Sequence, residues 1–423
     1  MAQGRKYILT INSGSSSIKF ALYDAVNPKE RFLSGKIERI GLTKPLFKAT
    51  KTDRFFTADH ADYADKNLHN PRNLRNPRSI SFVIRLAKTH QQASGFLLDW
   101  LQDQIGFDAV VGVGHRVVHG GPKFTQPQRI TRPLLAELRR LSPYDPEHLP
   151  SGIQVMELCH QRQPKLVQVA CFDTAFHRHM PRVAKLLPLP RRLDKKGVQR
   201  FGFHGLSYAY LLEALKRAAG AKVARGKIVM AHLGNGASLA AVHHGRSMDT
   251  SMGFTPAAGL PMSTRSGDLD PGLVWYLART EGMNAKQFHE MVHHQSGLLG
   301  VSGISPDMRD LEARQRKDVR AAEAVALFCY QTRKWIGAFA AALGGLDTLV
   351  FAGGIGENSP EVRQRICEGL EFLGVRVDRM KNKASAPVIS RSGSRVAVRV
   401  IRTDEELMIA KAVAEVLRRG NSQ

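Results

Sequence analysis

The stretch that most constrains this chain is residues 227–272, in which a glycine-rich turn joins two apolar segments. Residues 228–230 are Ile-Val-Met, Gly234-Asn235-Gly236 break the run, and residues 237–242 return as a second apolar segment. This order predicts a β-hairpin, because Asn-Gly between strand-like runs favours a tight turn. Glycines at its tip let backbone N–H groups approach an anion. Further on, Arg265 lies among small polar residues, where its guanidinium group can bind a phosphate or a carboxylate.

The N-terminus repeats this design. The segments ILTINSGSSSIKFALYD and VMAHLGNGASLAAVHHG both read as strand, small-residue turn and strand. No Gly-Lys-Ser/Thr opens a helix after the first turn, so the pattern is not a P-loop. Two such hairpins predict a duplicated fold with two phosphate-binding loops facing one cleft. The alternative is two ordinary hairpins whose tips are rich in glycine and serine.

Composition predicts a two-domain globular protein without a zinc site or a disulfide framework. The 423 residues are 43% hydrophobic and 23% charged, and none of the four cysteines forms a C-x-x-C pair. The apolar run before Asn12 is too short for a signal peptide, and the apolar region 335–355 contains Asp347 and five glycines. We therefore expect a cytoplasmic protein that does not span a membrane.

The formal net charge of +25 raises the alternative of a nucleic-acid partner. The basic residues are scattered, with modest clusters at 44–78 and 191–200, and no zinc-finger or helix-turn-helix signature is present. We interpret the excess as surface composition and expect no nucleic-acid partner. Residues 57–78 are polar and rich in Asn and Asp, which predicts a surface insertion.

Three polar residues stand where chemistry is possible. Arg116 lies inside the apolar strand predicted at 109–118, Asp173 follows the strand predicted at 166–172, and His204 lies in a loop. A buried arginine needs a counter-charge or a ligand, and a carboxylate after a strand suits metal binding. The structural alternatives are an ion pair for Arg116, a turn aspartate for Asp173 and a packed loop histidine for His204.

Other patterns predict local structure. Helical spacing favours a helix over 80–101, and residues 352–358 read as a glycine loop between a strand and a helix. Thr403 and Glu406 have the spacing of a capping box. That role for Glu406 would leave Glu405 free to serve an active site.

The motifs NSGSSSIK, GHRVVHGG, FDTAFH, FGFHG, HLGNGAS, the TRSGDLDPG run, AGGIGEN and TDEEL occur in this order. Together they resemble acetate kinases, in the superfamily that includes sugar kinases, heat-shock chaperones and actin. The resemblance runs nearly end to end. It implies an α/β fold of two duplicated ribonuclease H-like (actin-like ATPase) domains with the active site in the cleft between them. Residues 1–177 and the C-terminal helix 405–419 would form the first domain, and residues 178–404 the second, which binds nucleotide and dimerises.

The resemblance implies reversible transfer of the ATP γ-phosphoryl group to acetate, giving acetyl phosphate and ADP. It also implies Mg²⁺ as the cofactor, which Mn²⁺ can replace. The implied catalytic residues are Arg116, Asp173, His204 and Arg265. Acetate would contact Arg116, Val118, Phe203 and Pro256. The nucleotide would contact Ser15, Ser17, Lys19, His232, Leu233, Gly234, Asn235, Gly236, Asp307, Met308, Arg309, Gly354, Ile355, Gly356 and Asn358. The metal would be held by Asn12, Asp173 and Glu405.

The chain departs from the family pattern in three places. The family's Leu-His-Asn-Pro is replaced by residues 143–146, Pro-Tyr-Asp-Pro, with His148 nearby. The family's FHGTSH reads FHGLSY, so Leu206 and Tyr208 replace Thr and His. In the family's M-G-T-R-S-G, Ser263 replaces the first glycine. A propionate-preferring kinase is the alternative, distinguished by the shape around Val118 and Pro256. A non-catalytic sugar- or nucleotide-sensing relative of the same fold is a further alternative, disfavoured because the implied catalytic residues are all present.

Overall fold

The computed structural model describes residues 5–14, 17–41, 44–52, 79–84, 87 and 89–420. The predicted insertion at 57–78 and the candidate residue Ser15 lie outside the described residues. The strands are β1 Tyr7–Ser13, β2 Ser17–Asp24, β3 Arg31–Glu38, β4 Leu46–Lys51, β5 Ser79–Val83, β6 Val110–Val117, β7 Gln128–Arg129, β8 Val167–Phe172, β9 Ile228–Leu233, β10 Ala237–His243, β11 Arg246–Thr250, β12 Thr348–Ala352 and β13 Ala397–Val400.

The helices are α1 His90–Ile105, α2 Arg132–Leu141, α3 Leu149–Arg162, α4 Arg182–Lys185, α5 Arg191–Lys195, α6 Gly205–Ala219, α7 Ala221–Ala224, α8 Gly272–Thr280, α9 Ala285–Glu290, α10 Gly297–Ser302, α11 Met308–Arg314, α12 Val319–Leu343, α13 Gly353–Asn358, α14 Pro360–Cys367, α15 Arg379–Lys383 and α16 Glu405–Gly420. In the part of the chain that the structure describes, none of them has the length and apolar character needed to cross a lipid bilayer.

The chain separates into two compact units. Unit 1 comprises Met1–Ala175 and Asp404–Gln423, and unit 2 comprises Phe176–Thr403. The domain boundaries predicted from the sequence, 177/178 and 404/405, stay a prediction about folding units.

The sheet of unit 1 has the strand order β5-β4-β3-β2-β1-β6-β8-β7 in the described residues. β1 pairs antiparallel with β2, and β2 with β3, whereas β1, β6 and β8 are mutually parallel neighbours. The sheet of unit 2 has the order β11-β10-β9-β12-β13, with the first pairs antiparallel and β9, β12 and β13 parallel. Five strands of each sheet therefore share one order and one pattern of direction. This confirms the predicted α/β class and its duplication.

Both predicted hairpins are present. Strands β1 and β2 form the hairpin of unit 1, and β9 and β10 form the hairpin of unit 2. The register pairs Ser13 with Ile18 in unit 1 and Leu233 with Ala237 in unit 2. The long helix α12 is also confirmed, because Asp318 caps its first turn and Gly344 ends it with a φ of 66°.

Helix α16 returns to unit 1 and packs on β6, where two glycines leave room for it. A Cβ atom at Gly114 would lie 2.7 Å from Val413 and would also clash with Ile409. A Cβ atom at Gly112 would lie 2.9 Å from Val413. The VVGVGHRVV strand therefore needs glycine for this close approach, which brings the start of α16 to the end of β1.

Two predictions of local structure are wrong. The helix predicted over 80–101 begins only at His90, and Ser79–Val83 is strand β5. The Ser-Ile-Ser-Phe-Val alternation has the two-residue period of a strand, and Phe82 packs on Phe47 of β4 with ring centroids 5.1 Å apart. The predicted glycine loop at 352–358 is instead helix α13, which opens directly after β12.

Candidate functional site

The strands β1, β6 and β8 carry three polar side chains to the same edge of the unit 1 sheet. Asn12 lies near the end of β1, Arg116 near the end of β6, and Asp173 directly follows β8. Because these strands are parallel neighbours, their carboxyl ends meet at one edge, where α/β proteins bind ligands.

Arg116 joins the other two residues. Its Nη2 donates to Asp173 Oδ2 at 2.6 Å, its Nε lies 3.1 Å from the same oxygen, and its Nη1 donates to Asn12 Oδ1 at 3.1 Å. Asp173 is fully buried and the Arg116 side chain is 15% exposed. Burial acts to lower the pKa of Arg116, but the charges of Asp173 and Glu405 raise it above its ordinary value. The counter-charge that the sequence required for Arg116 is therefore present.

Two adjacent carboxylates approach Asn12 from the start of α16. Asn12 Nδ2 donates to Glu405 Oε2 at 3.0 Å and to Glu406 Oε1 at 3.4 Å. Burial, followed by the charge of Glu405, raises the pKa of Glu406, and the charge of Lys19 opposes that rise. Both glutamates therefore belong to the polar cluster of unit 1.

The capping box predicted for Thr403 and Glu406 is wrong. Asp404 caps α16, since its Oδ1 accepts from the backbone N–H of Leu407 at 3.0 Å. Thr403 Oγ1 lies 2.8 Å from Ser207 Oγ and takes no part in that cap. The argument that a capping role separates Glu406 from Glu405 therefore fails.

The donor set of unit 1 fits magnesium. Asp173, Glu405 and the amide of Asn12 supply oxygen atoms, which hard cations prefer, and both carboxylates are buried. No cluster of three or more His, Cys, Asp or Glu ligands occurs among the described residues. Magnesium does not require one, because proteins usually bind it through one or two carboxylates together with substrate phosphates.

His204 begins the polar cluster of unit 2. It precedes α6 with a φ of 57°, a left-handed conformation that is costly for a non-glycine residue and recurs at functional sites. Its Nδ1 lies 2.8 Å from Ser238 Oγ, and Ser238 Oγ lies 2.5 Å from the hydroxyl of Tyr208. His204 is 8% exposed, while Ser238 and Tyr208 are fully buried.

A second imidazole is held in the same way. His232 Nδ1 lies 2.8 Å from Ser207 Oγ, which in turn lies 2.8 Å from Thr403 Oγ1. The rings of His232 and His204 stack with centroids 4.4 Å apart. Two hydroxyl chains thus orient two neighbouring imidazoles.

Arg265 and His204 converge on the tip of the second hairpin. A Cβ atom at Gly236 would lie 2.9 Å from Arg265 Nη2 and 3.1 Å from His204 Nε2. Arg265 Nη1 donates to the Pro256 carbonyl at 2.7 Å. Glycine at 236 therefore leaves space beside one guanidinium group and one imidazole, both of which can donate to an anion.

Helix α13 begins beside the same hairpin. Gly353 has a φ of 77°, and its Cβ would lie 2.6 Å from the Leu233 carbonyl. Gly354 faces open space, and its carbonyl accepts from Asn358 Nδ2 at 2.9 Å. Several predicted nucleotide residues therefore lie together in unit 2: His232, Leu233, Gly234, Asn235, Gly236, Gly354, Ile355, Gly356 and Asn358.

The predicted adenosine segment forms the start of α11. Asp307 caps this helix by accepting from the Arg309 backbone at 2.9 Å, and its carboxylate also binds the Arg309 side chain. Met308 is buried at 3% exposure. Their role beside a nucleotide stays a prediction.

The remaining candidates lie around these clusters. In unit 1, Lys19 pairs with Asn12 across the hairpin, Ser17 accepts a backbone hydrogen bond from Gly14 at 2.8 Å, and Val118 is buried after β6. In unit 2, Phe203 is buried and its carbonyl lies 3.0 Å from His177 Nε2.

The altered loop at 143–146 lies in unit 1. The Tyr144 ring meets His119 edge-on at 5.3 Å, and Asp145 Oδ1 lies 2.8 Å from His148 Nδ1. Asp145 thus pairs with His148.

Sequence reasoning missed Ser207, and it missed the hydrogen-bonding roles of Ser238, Tyr208 and Arg363. Tyr208 follows His204 by four residues at a helix start, a spacing that places both on one face and could have drawn attention to it. Arg363 is fully buried and donates to the carbonyls of Gly356 and Glu357 at the end of α13. No local pattern around Arg363 indicates that role.

Comparisons with known proteins agree over nearly the whole chain. The family model described as the acetokinase family matches residues 7–411. An acetate kinase of Rhodopseudomonas palustris (strain TIE-1) is 43% identical over 96% of this chain and 97% of its own length. Among solved structures, Porphyromonas gingivalis acetate kinase aligns with a TM-score of 0.82 and 35% identity, over 97% of this chain and all of that chain. A propionate kinase from Francisella tularensis subsp. tularensis SCHU S4 aligns with a TM-score of 0.85 and 33% identity, over 97% of this chain and 99% of that chain.

Proposed function

The chain belongs to the acetokinase family, and we propose that it catalyses the reversible transfer of the ATP γ-phosphoryl group to acetate. The products are acetyl phosphate and ADP. The observation that carries the proposal is the convergence of His204 and Arg265 on Gly236, in a chain matched by its family from residue 7 to residue 411.

The reaction forms a bond between an acetate oxygen and the γ-phosphorus while the bond to the ADP oxygen breaks. Phosphoryl transfer depends on in-line positioning and on stabilising charge at the equatorial oxygens. Arg265 and His204 supply donors for those oxygens, and Arg116 grips the carboxylate of acetate. The family resemblance assigns Val118, Phe203 and Pro256 to the apolar surroundings of the methyl group.

Magnesium, with manganese able to replace it, would neutralise phosphate charge when bound. Asp173 and Glu405 would hold it, with Asn12 beside them. Arg116 orients Asp173 through its hydrogen bonds.

The nucleotide is bound by the two hairpin loops, the start of α11 and helix α13. Glycines at 234, 236 and 354 suit this role because they allow close approach to phosphate and ribose. Arg363 supports it by fixing the carbonyl end of α13.

A propionate-preferring enzyme is the second candidate, favoured by the similarity to the Francisella propionate kinase. A hydroxamate assay with ATP and magnesium, run across acetate, propionate and butyrate, separates the two. We expect the highest kcat/KM with acetate. A higher value with propionate would select the second candidate, and no acyl phosphate with any of the three acids would contradict the proposal.

We also propose a homodimer formed through α8 and α12 of unit 2, in the cytoplasm. Helix α8 exposes Val274, Trp275 and Tyr276, with Trp275 68% exposed, and α12 exposes Tyr330. Exposed apolar side chains grouped in this way usually mark an interaction surface. The four cysteines are unpaired and buried, which suits a reducing compartment. Light scattering should give twice the chain mass of 46.8 kDa.

A further inference from the structure

Tyr208 stands where the acetate kinase pattern has a histidine, and its contacts suggest a purpose. It lies one helical turn after His204 in α6 and is fully buried. Its hydroxyl lies 2.5 Å from Ser238 Oγ, and Ser238 Oγ lies 2.8 Å from His204 Nδ1. These three groups form one continuous hydrogen-bonded chain.

We propose that Tyr208 is a positioning residue that sets the tautomer of His204 through Ser238. In a neutral imidazole one ring nitrogen carries the proton and the other accepts. The chain from Tyr208 makes Nδ1 the acceptor and leaves the proton on Nε2. This inference rests on the proposed function, since it concerns how His204 presents a donor to the phosphoryl group.

The donor and acceptor at each hydrogen bond from Tyr208 to His204 follow from the acidity of the groups. A phenol has a pKa near 10 and is a better donor than an aliphatic hydroxyl, so Tyr208 donates to Ser238 Oγ. The 2.5 Å separation is at the short end for O–H···O bonds, as expected when the more acidic group donates. Ser238 Oγ has two hydrogen-bond partners among the described residues, Tyr208 and His204, so when Tyr208 donates, His204 Nδ1 is the acceptor for the Ser238 proton.

The consequence appears at the other end of the ring. His204 Nε2 faces the space beside Gly236 that Arg265 Nη2 also lines. A proton on Nε2 makes this atom a donor to a phosphate oxygen. The opposite tautomer would direct a lone pair at the same oxygen, and the two would repel each other.

The neighbouring imidazole gives an internal contrast. His232 Nδ1 meets Ser207, whose second partner is the aliphatic hydroxyl of Thr403. Two aliphatic hydroxyls have similar acidity, so that chain has no phenol to fix its direction. Tyr208 therefore acts on His204 and not on His232.

The test is the ring-nitrogen NMR spectrum of the free protein, with ¹⁵N-labelled histidine and His204 assigned through His204→Gln. The unmodified protein should show the proton of His204 on Nε2. Tyr208→Phe removes only the hydroxyl and should move a measurable fraction of that proton to Nδ1. Tyr210→Phe, a tyrosine two residues away whose ring lies near Arg217, is the matched control and should leave the signal unchanged.

Kinetics supply the second readout. Tyr208→Phe should lower kcat roughly tenfold, the scale of one hydrogen bond to a charged or reacting group, with KM for acetate and ATP within about twofold. Tyr208→His should recover part of the lost kcat, because a ring nitrogen can again meet Ser238. If Tyr208→Phe fails to fold, Ser238→Ala breaks the same chain at its middle and should give the same shift in the spectrum.

The inference is overturned if the unmodified protein carries the His204 proton on Nδ1, or if neither Tyr208→Phe nor Ser238→Ala changes the spectrum. The spectrum requires no substrate. A protein that makes no acetyl phosphate, yet shows the expected tautomer and its shift, would contradict the proposed function and leave the hydroxyl chain intact.

Discussion

The two hairpins have the same backbone design but opposite chemical surroundings. In unit 1, Asn12 at the end of β1 contacts Arg116 and the carboxylates of Glu405 and Glu406. In unit 2, His232 at the corresponding end of β9 contacts a serine hydroxyl and stacks on another imidazole. One cluster is rich in carboxylate oxygen, and the other in nitrogen donors.

This difference shows how one duplicated fold can be divided between two tasks. Carboxylate oxygens suit a cation, whereas imidazole, guanidinium and glycine N–H groups suit phosphate. The shared strand order places both clusters at the carboxyl ends of parallel strands. The side chains on those ends then decide the chemistry, so changes to each cluster should affect different ligands.

The largest effect is expected from Arg265→Ala in the donor-rich cluster. The guanidinium group lines the space beside Gly236, where we propose that the phosphoryl group binds. Its removal should lower kcat by roughly 10³-fold or more, the scale of an arginine finger. Arg217→Ala on the exposed side of α6 serves as the control. A loss under tenfold in a folded protein would remove Arg265 from the catalytic residues.

The hairpin tips themselves offer a matched pair, Gly236→Ala and Gly14→Ala. A methyl group at 236 would lie 2.9 Å from Arg265 and 3.1 Å from His204, so both must move. Because a misplacement of about 1 Å can cost 10²-fold in rate, kcat should fall by about that factor. At Gly14 the nearest atom is Ser17 Oγ at 3.3 Å, and kcat should fall less than tenfold. Equal losses at both tips would break the proposed division of tasks.

The oxygen-rich cluster is tested by Glu405→Gln and Glu406→Gln. Glu405 accepts the shorter hydrogen bond from Asn12, 3.0 Å against 3.4 Å, and we assign it to the metal. A neutral amide binds hard cations more weakly than a carboxylate does. Glu405→Gln should therefore raise the magnesium concentration at half-maximal rate by several-fold, measured at saturating ATP and acetate. A larger increase in Glu406→Gln would reverse the assignment.

The sequence predicted the elements that local patterns control. Asn-Gly at 235–236 specifies a hairpin turn, and Asp318 and Gly344 bracket α12, so these elements are confirmed. The helix predicted over 80–101 failed because Phe82 fits the helical spacing to Leu86 as well as the two-residue alternation with Ile80, and only pairing with β4 selects the strand. The glycine-rich segment 353–358 is a helix held by contacts that local spacing does not show: Glu357 accepts from the Gly353 backbone N–H, and Arg363 donates to the carbonyls of Gly356 and Glu357.

The candidate site divides along the same line. The sequence motifs identified Arg116, Asp173 and His204 as candidates. In the structure, Arg116 donates a hydrogen bond to Asp173. Contacts between residues distant in the chain, such as Tyr208 with Ser238, depend on the fold and leave no trace in local spacing. The roles assigned to the individual site residues stay predictions.

The smallest effect is expected at the helix cap that brings α16 to Asn12. Asp404→Ala removes the side-chain oxygen that accepts from Leu407, and losing such a cap costs about 0.5–2 kcal/mol of stability. Asp404 also accepts from the Tyr23 hydroxyl at 3.2 Å, so Tyr23→Phe is the control that keeps the cap.

Denaturant unfolding and amide hydrogen exchange at Leu407 are the measurements. Asp404→Ala should speed that exchange, with a modest rise in the magnesium requirement because Glu405 begins the same turn. Thr403→Ala should leave the exchange unchanged. Faster exchange in Thr403→Ala than in Asp404→Ala would restore the capping box that the sequence indicated.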